Sequence, residues 1–194
     1  MPQVANDTFT DTDGTSLASH TSDSGHSWNV GSGSGTLSIT SNAVPNVGAR
    51  RWYYSGYTPS SADYDVTAVI AQTGSYSGGP ALRMDTAART YYFGHWENTE
   101  WRITKYLSGS ETSLGNYSGD SPVGTTRTAR ISANGSTIKL FIGGVERISV
   151  TDTDISAAGR PGIETSDTTG TIDDWSVDAA SGGGANNVLA WITA

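Results

Sequence analysis

Six tryptophans and nine tyrosines stand in this 194-residue chain, and the rings near its middle are grouped for one kind of chemistry. Sugars present C–H faces that stack on aromatic rings, while neighbouring polar groups bond their hydroxyls. Trp52 and Tyr54 from one stretch, and Tyr92, His95, Trp96 and Trp101 from another, are the candidates for such a glycan platform. Alternation along a strand sends half of such rings the other way. In Trp52-Tyr53-Tyr54 one face carries Trp52 and Tyr54 and the other carries Tyr53. Core packing therefore competes with sugar stacking for every ring.

Other constellations fall short of catalysis. Retaining glycoside hydrolysis needs two carboxylates about 5–5.5 Å apart. The nearest approach is Glu97-Asn98-Thr99-Glu100, whose acids fall on opposite faces if the strand runs straight through. Asp63 and Asp65 have suitable parity but lack a third group. His20 and His26 lie near Ser22 and Ser24, without the strained turn that a nucleophilic serine requires. Asp11-Thr12-Asp13-Gly14 opens like a calcium loop, but Ser22 stands where an EF-hand places its bidentate Glu.

Composition sets the elements that must carry these residues. The hydrophobic fraction is 35 % and the charged fraction 15 %, with 24 glycines and 6 prolines, which suits short strands joined by tight turns. A formal charge of −8 offers no general attraction for a phosphate backbone or an anionic membrane surface. No apolar run of about 18 residues spans a bilayer. Met1 to Asp7 has neither the basic nor the apolar region of a signal peptide. With no cysteine, disulfide frameworks, thiolate metal sites and cysteine nucleophiles are excluded.

Strands are expected at Leu37–Thr40, Arg50–Tyr54, Tyr64–Ala71, Ala81–Asp85, Thr90–Trp96 and Trp101–Leu107. A meander follows from Arg127 to Val150, with Asn134-Gly135 as its hairpin turn. Phe9, Leu17 and Trp28 are too widely spaced for one strand and are expected to plug separate gaps at a sheet edge. Residues 1–180 form one domain on this reading. Residues 181–194 join a glycine linker, Ser181 to Gly184, to an apolar segment in which Val188, Leu189, Trp191 and Ile192 would dock on a partner.

The opening Asp7-x-Phe9-x-Asp11-x-Asp13-Gly14-Thr15-x-Leu17-x-x-His20, closed by Trp28, resembles concanavalin A-like (laminin G-like) jelly-roll domains, as found in phage virion proteins. Gly159-Arg160-Pro161-Gly162-Ile163 and Ile172-Asp173-Asp174-Trp175-Ser176-Val177 resemble the last two strands of that fold. The resemblance implies an all-β sandwich of two antiparallel sheets with a C-terminal extension, its last strand close to the N-terminal segment. It also implies a structural calcium assembled from Asp7, Asp11 or Asp13 with Asp173 or Asp174. Glycanases of this fold share a closely spaced carboxylate motif that is missing here.

The function expected from these features is a non-enzymatic phage virion component, a capsid decoration or tail-surface protein, on the particle surface. Its partners would be other virion proteins or further copies of itself, with weak binding of cell-surface glycans, and neither nucleic acid nor membrane. The alternative is a lectin-like carbohydrate-binding module for receptor recognition or adhesion, extracellular or on a cell surface. A glycan hydrolase ranks third.

Overall fold

The computed structural model describes residues 2–74, 78–165 and 170–179. Fourteen strands form among them. In chain order they are β1 Gln3–Asp7, β2 Trp28–Val30, β3 Val44–Pro45, β4 Arg51–Ser55, β5 Tyr64–Gln72, β6 Gly79–Met84 and β7 Tyr91–Glu97. β8 Glu100–Leu107, β9 Ser110–Tyr117, β10 Thr126–Asn134, β11 Thr137–Ile142, β12 Val145–Thr151, β13 Arg160–Thr165 and β14 Gly170–Ala179 complete the set. One 3-10 turn, Leu17–Ser19, is the helical element of the described residues.

Two antiparallel sheets result, and they make the expected jelly-roll sandwich. The first runs β1-β14-β5-β10-β11-β12, with β3 also pairing β14, and the second runs β2-β4-β13-β6-β7-β8-β9. β1 lies on β14 through pairs such as Asp7↔Trp175, so the two ends of the described chain meet at one edge. The period-2 pattern explains the layering. Ile138, Leu140 and Ile142 of β11 point inward, as do Val66, Ala68 and Ile70 of β5 and Tyr53, Leu82, Tyr92 and Ile163 of the second sheet.

Three local expectations are corrected. Phe9, Leu17 and Trp28 do not fill separate gaps but join the common core, with Phe9 5.6 Å and Trp175 4.8 Å from Trp28 between ring centroids. Leu37–Thr40 forms no extended strand and makes only the isolated bridges Ser16↔Ser38 and Thr40↔Ala43. The hairpin turn falls one residue later than the Asn-Gly pattern suggests. Asn134 pairs Thr137, and Gly135 takes positive φ (57°) as the first turn residue, where glycine removes the steric cost.

Strand β9 went unread in the sequence because its side chains are polar and mostly exposed, leaving no apolar alternation to see. Val188, Leu189, Trp191 and Ile192, with the linker before them, lie outside the described residues. Among those described, no helix is long and apolar enough to cross a membrane.

Candidate functional site

The second sheet carries a second cluster on the face turned away from the sandwich core. Trp52 of β4, Ala81 and Met84 of β6, Tyr91 and Phe93 of β7 and Tyr106 of β8 pack together there, with Tyr54 half-buried against them. Parity produces it: Trp52 and Tyr54 face one way while Tyr53 enters the core, and Tyr91 and Phe93 flank the inward Tyr92. Trp52 lies 5.7 Å from Tyr91, and Tyr91 lies 5.0 Å from Tyr106, between ring centroids.

A charged group sits among these rings. Glu164, on the inner strand β13, is fully buried, and its neighbours on the strand are Ile163 and Thr165. Oε1 accepts from Arg50 Nη1 at 3.3 Å and from Arg89 Nη2 at 3.2 Å, while Oε2 accepts from the Tyr91 hydroxyl and from Arg89 Nη2 at 3.3 Å. The Arg89 guanidinium stands 3.8 Å from the Tyr106 ring centroid. Arg50 Nη1 donates to the Tyr106 hydroxyl, which donates to Glu111 Oε2 at 2.8 Å. Burial raises the Glu164 pKa against the pull of Arg89, the Tyr91 hydroxyl and Arg50. Burial and then the Glu164 charge push the Tyr91 hydroxyl far above its ordinary range, which keeps it a donor.

The arginines reach this face from loops. Arg50 precedes β4 and Arg89 precedes β7, and their side chains are 26 % and 28 % exposed, so both present an edge to solvent. The site is therefore a set of packed aromatic rings with a buried carboxylate and two guanidiniums that are about a quarter exposed.

Five of the six rings expected to form a sugar platform are covered. Tyr92, Trp96 and Trp101 point into the space between the sheets, where large rings fill the core. The Tyr92 hydroxyl donates to Asp152 at 2.6 Å, and Asp152 also accepts from Lys105 Nζ at 2.5 Å. Trp52 does lie on the outward face, but its ring backs onto Gly31, where an added Cβ would come within 2.1 Å of it. His95 is 1 % exposed, stacked 4.3 Å from Phe93, with Nε2 2.9 Å from Thr104 Oγ1. Burial, then the charges of Arg50 and Arg102, lower its pKa to about 3, so it is neutral. Tyr54 alone of the six retains partial exposure.

The reading of Glu97 and Glu100 also changes. A two-residue turn, with Asn98 at φ 59°, brings them opposite each other at the end of the β7–β8 hairpin, on one face rather than two. Both carboxylates pair with Arg102, at 2.7 Å from Nη1 and 3.4 Å from Nε.

Of the aspartates in the calcium expectation, Asp7 and Asp11 have both oxygens filled by N–H and O–H donors, while Asp13 and Asp173 each accept one backbone N–H and Asp174 is exposed. Asp7 is buried and accepts from Phe9 N at 2.8 Å, His20 Nε2 at 3.0 Å and Trp28 Nε1 at 2.5 Å. Asp11 accepts from Thr12 N, Thr15 Oγ1 and His20 Nδ1 at 2.9 Å. Asp13 accepts from Ser41 N, and Asp173 from Asp174 N. Among the described residues, no three acids or histidines converge to hold a metal. With Asp7 and Asp11 filled by donors and the others not converging on them, these residues do not fit a calcium ion.

His20 has a carboxylate on each ring nitrogen, an arrangement that favours the doubly protonated ring, which donates from both nitrogens. Burial alone would lower its pKa, but the hydrogen bonds and charges of Asp11 and Asp7 raise it overall.

A separate cleft of about 260 Å³ opens beside Arg83, Asp85, Thr90 and Asp154. Its Arg83 is committed to the carbonyls of Ala62, Ile155 and Gly135 and to Asp63, tying loops together.

No family model matches this sequence, and no curated protein matches it. Solved structures share its fold at low identity. A carbohydrate-binding module, CBM66, from Bacillus subtilis matches with a TM-score of 0.63 and 15 % identity, over 78 % of this chain and 95 % of that one. A botulinum neurotoxin type C chain, described as entering cells through interaction with two ganglioside molecules, matches with a TM-score of 0.57 and 12 % identity. That match covers 90 % of this chain and 47 % of the toxin chain. A Trypanosoma rangeli sialidase variant displaying trans-sialidase activity matches with a TM-score of 0.57 and 11 % identity, over 90 % of this chain and 30 % of that one. This chain thus spans about half of the toxin chain and under a third of the sialidase, and the likeness establishes the two-sheet jelly-roll fold.

Proposed function

We propose that this chain is a carbohydrate-binding module that takes sugars on the outward face of its second sheet, without cleaving them. The observation that carries the reading is the Glu164–Arg50–Arg89 group held among the buried rings of Trp52, Tyr91 and Tyr106, outside the core between the sheets. A buried ion pair is a poor way to stabilise a sheet, since apolar side chains of similar volume serve as well or better. Arginines fixed by a carboxylate and an aromatic ring are suited instead to planar hydrogen bonding with a ligand. The named carbohydrate-binding module supports the same reading, because 95 % of its length matches this chain. It favours the lectin-like alternative over the virion role, for which the relatives give no support. The engagement of both Glu97 and Glu100 with Arg102 supports binding without hydrolysis.

The test is a glycan array probed with the full chain, beside Tyr54→Ala and Arg50→Met variants of verified circular-dichroism spectrum. Saturable binding lost in these variants is the expected result. A blank array, or binding unchanged by either substitution, refutes the reading.

A further inference from the structure

The hydrogen-bonding inventory of this face is unbalanced. Both oxygens of Glu164 are filled by Arg50, Arg89 and Tyr91. The donor side is not exhausted. Arg50 uses Nη1 for all of its bonds, and Arg89 uses Nε and Nη2. Arg50 Nε and Nη2 and Arg89 Nη1 therefore remain available, on side chains that are a quarter or more exposed. Glu111 is the open acceptor: it is 42 % exposed and its Oε2 lies 3.4 Å from Arg50 Nη1. Neutral sugars offer hydroxyls that both donate and accept, and a balanced site would meet them with both kinds of group. A face of unspent guanidinium N–H groups calls for an acceptor, best a charged and planar one.

We propose that the sugar bound here is acidic, a uronic or sialic unit whose carboxylate seats against Arg50 and Arg89, displacing the Glu111 side chain from Arg50. The proposal rests on the glycan-binding reading above and specifies its ligand class. Glu111 acts as an internal stand-in for the ligand carboxylate, and the Tyr106 ring beneath Arg89 holds that guanidinium in place when the stand-in leaves.

Calorimetric titration of the full chain with matched probes tests this. 3′-Sialyllactose is set against lactose, and trigalacturonate against its carboxyl-reduced form, so that the two acidic classes are told apart. At least one acidic probe should bind about tenfold or more tightly than its neutral partner, because its loss leaves guanidinium donors unpaired. Its affinity should fall several-fold between about 20 and about 300 mM salt, as screening requires. Glu111→Gln removes the competing carboxylate at an exposed position and should tighten the acidic probe, while Arg89→Met should abolish its binding.

Equal binding of the neutral partner overturns the proposal. So does weakening by Glu111→Gln, which would mark Glu111 as an acceptor for ligand hydroxyls. Undiminished binding to a folded Arg89→Met variant also overturns it, by placing the site elsewhere. If neutral sugars alone bind, the ligand class fails while the glycan reading stands. If no probe of either kind binds here and the array is blank, both fall.

Discussion

Replacing Asp7 with asparagine isolates the charged knot at the N-terminal edge. The carboxylate receives three donors, from the Phe9 backbone, His20 and Trp28, and is fully buried. The amide has the same shape but one oxygen fewer, so at least one donor meets an NH2 group, and the protonated form of His20 loses the buried carboxylate that favours it. Removing one partner of a buried ion pair costs about 3–5 kcal/mol. At about 2–4 °C per kcal/mol for a chain of this size, the melting temperature should fall by roughly 6–20 °C.

The same variant should also alter the pH profile. His20 is raised above 6.5 in the folded protein, so its contribution is complete below pH 6.5 and is lost as pH climbs through the raised value. Urea unfolding of wild type should therefore show stability declining as pH rises above about 6.5, and Asp7→Asn a shallower decline. A loss below about 1 kcal/mol, or parallel pH slopes, would show that the knot is not a charged one.

Three further outcomes follow from the packing. His95 is neutral when folded, with its pKa lowered to about 3, so the unfolded chain binds the extra proton below pH 6.5 and stability drops as pH falls. His95→Gln should flatten that acid limb in urea unfolding, and an unchanged slope would contradict the assignment. A Cβ at Gly79 would meet the Gly94 carbonyl oxygen at 2.1 Å, whereas one at Gly94 would meet a side-chain end, Leu140 Cδ1, at 2.7 Å. Gly79→Ala should therefore cost about 3 kcal/mol and Gly94→Ala distinctly less, by denaturant titration, and the reverse order would refute the strand spacing. Chelation by EDTA should leave the melting temperature unchanged, since Asp7, Asp11, Asp13 and Asp173 already accept from donors of the chain.

Strand order along the chain was legible because apolar alternation, glycine turns and aromatic parity are local properties. Trp52, Tyr53 and Tyr54 divided between the two faces as their spacing requires. The pairing of β14 with β1 agrees with the resemblance of Asp173 to Val177 to a closing strand. The site was much less legible. Alternation says which rings share a face but not which face is the core, so Tyr92, Trp96 and Trp101 were assigned to sugar although they fill the sandwich.

Arg50, Arg89 and Glu164 lie up to 114 positions apart, and only the β4-β13-β6-β7 register brings them together. One clue was available: Glu164 is an acid set between Ile163 and Thr165 in a strand otherwise built for burial. The turn between the strands ending at Trp96 and beginning at Trp101 was legible, and it is this turn that sets Glu97 opposite Glu100.

The edge where β1 lies on β14 has a consequence for engineering. Ala179 N donates to the Pro2 carbonyl at 3.1 Å, so the described termini are already neighbours. A short peptide could join them, with new ends opened at the Gly135 turn between β10 and β11, giving a circular permutant that retains every strand pairing. By the same proximity, the domain could be spliced into a surface loop of a carrier protein while presenting its guanidinium-bearing face outward.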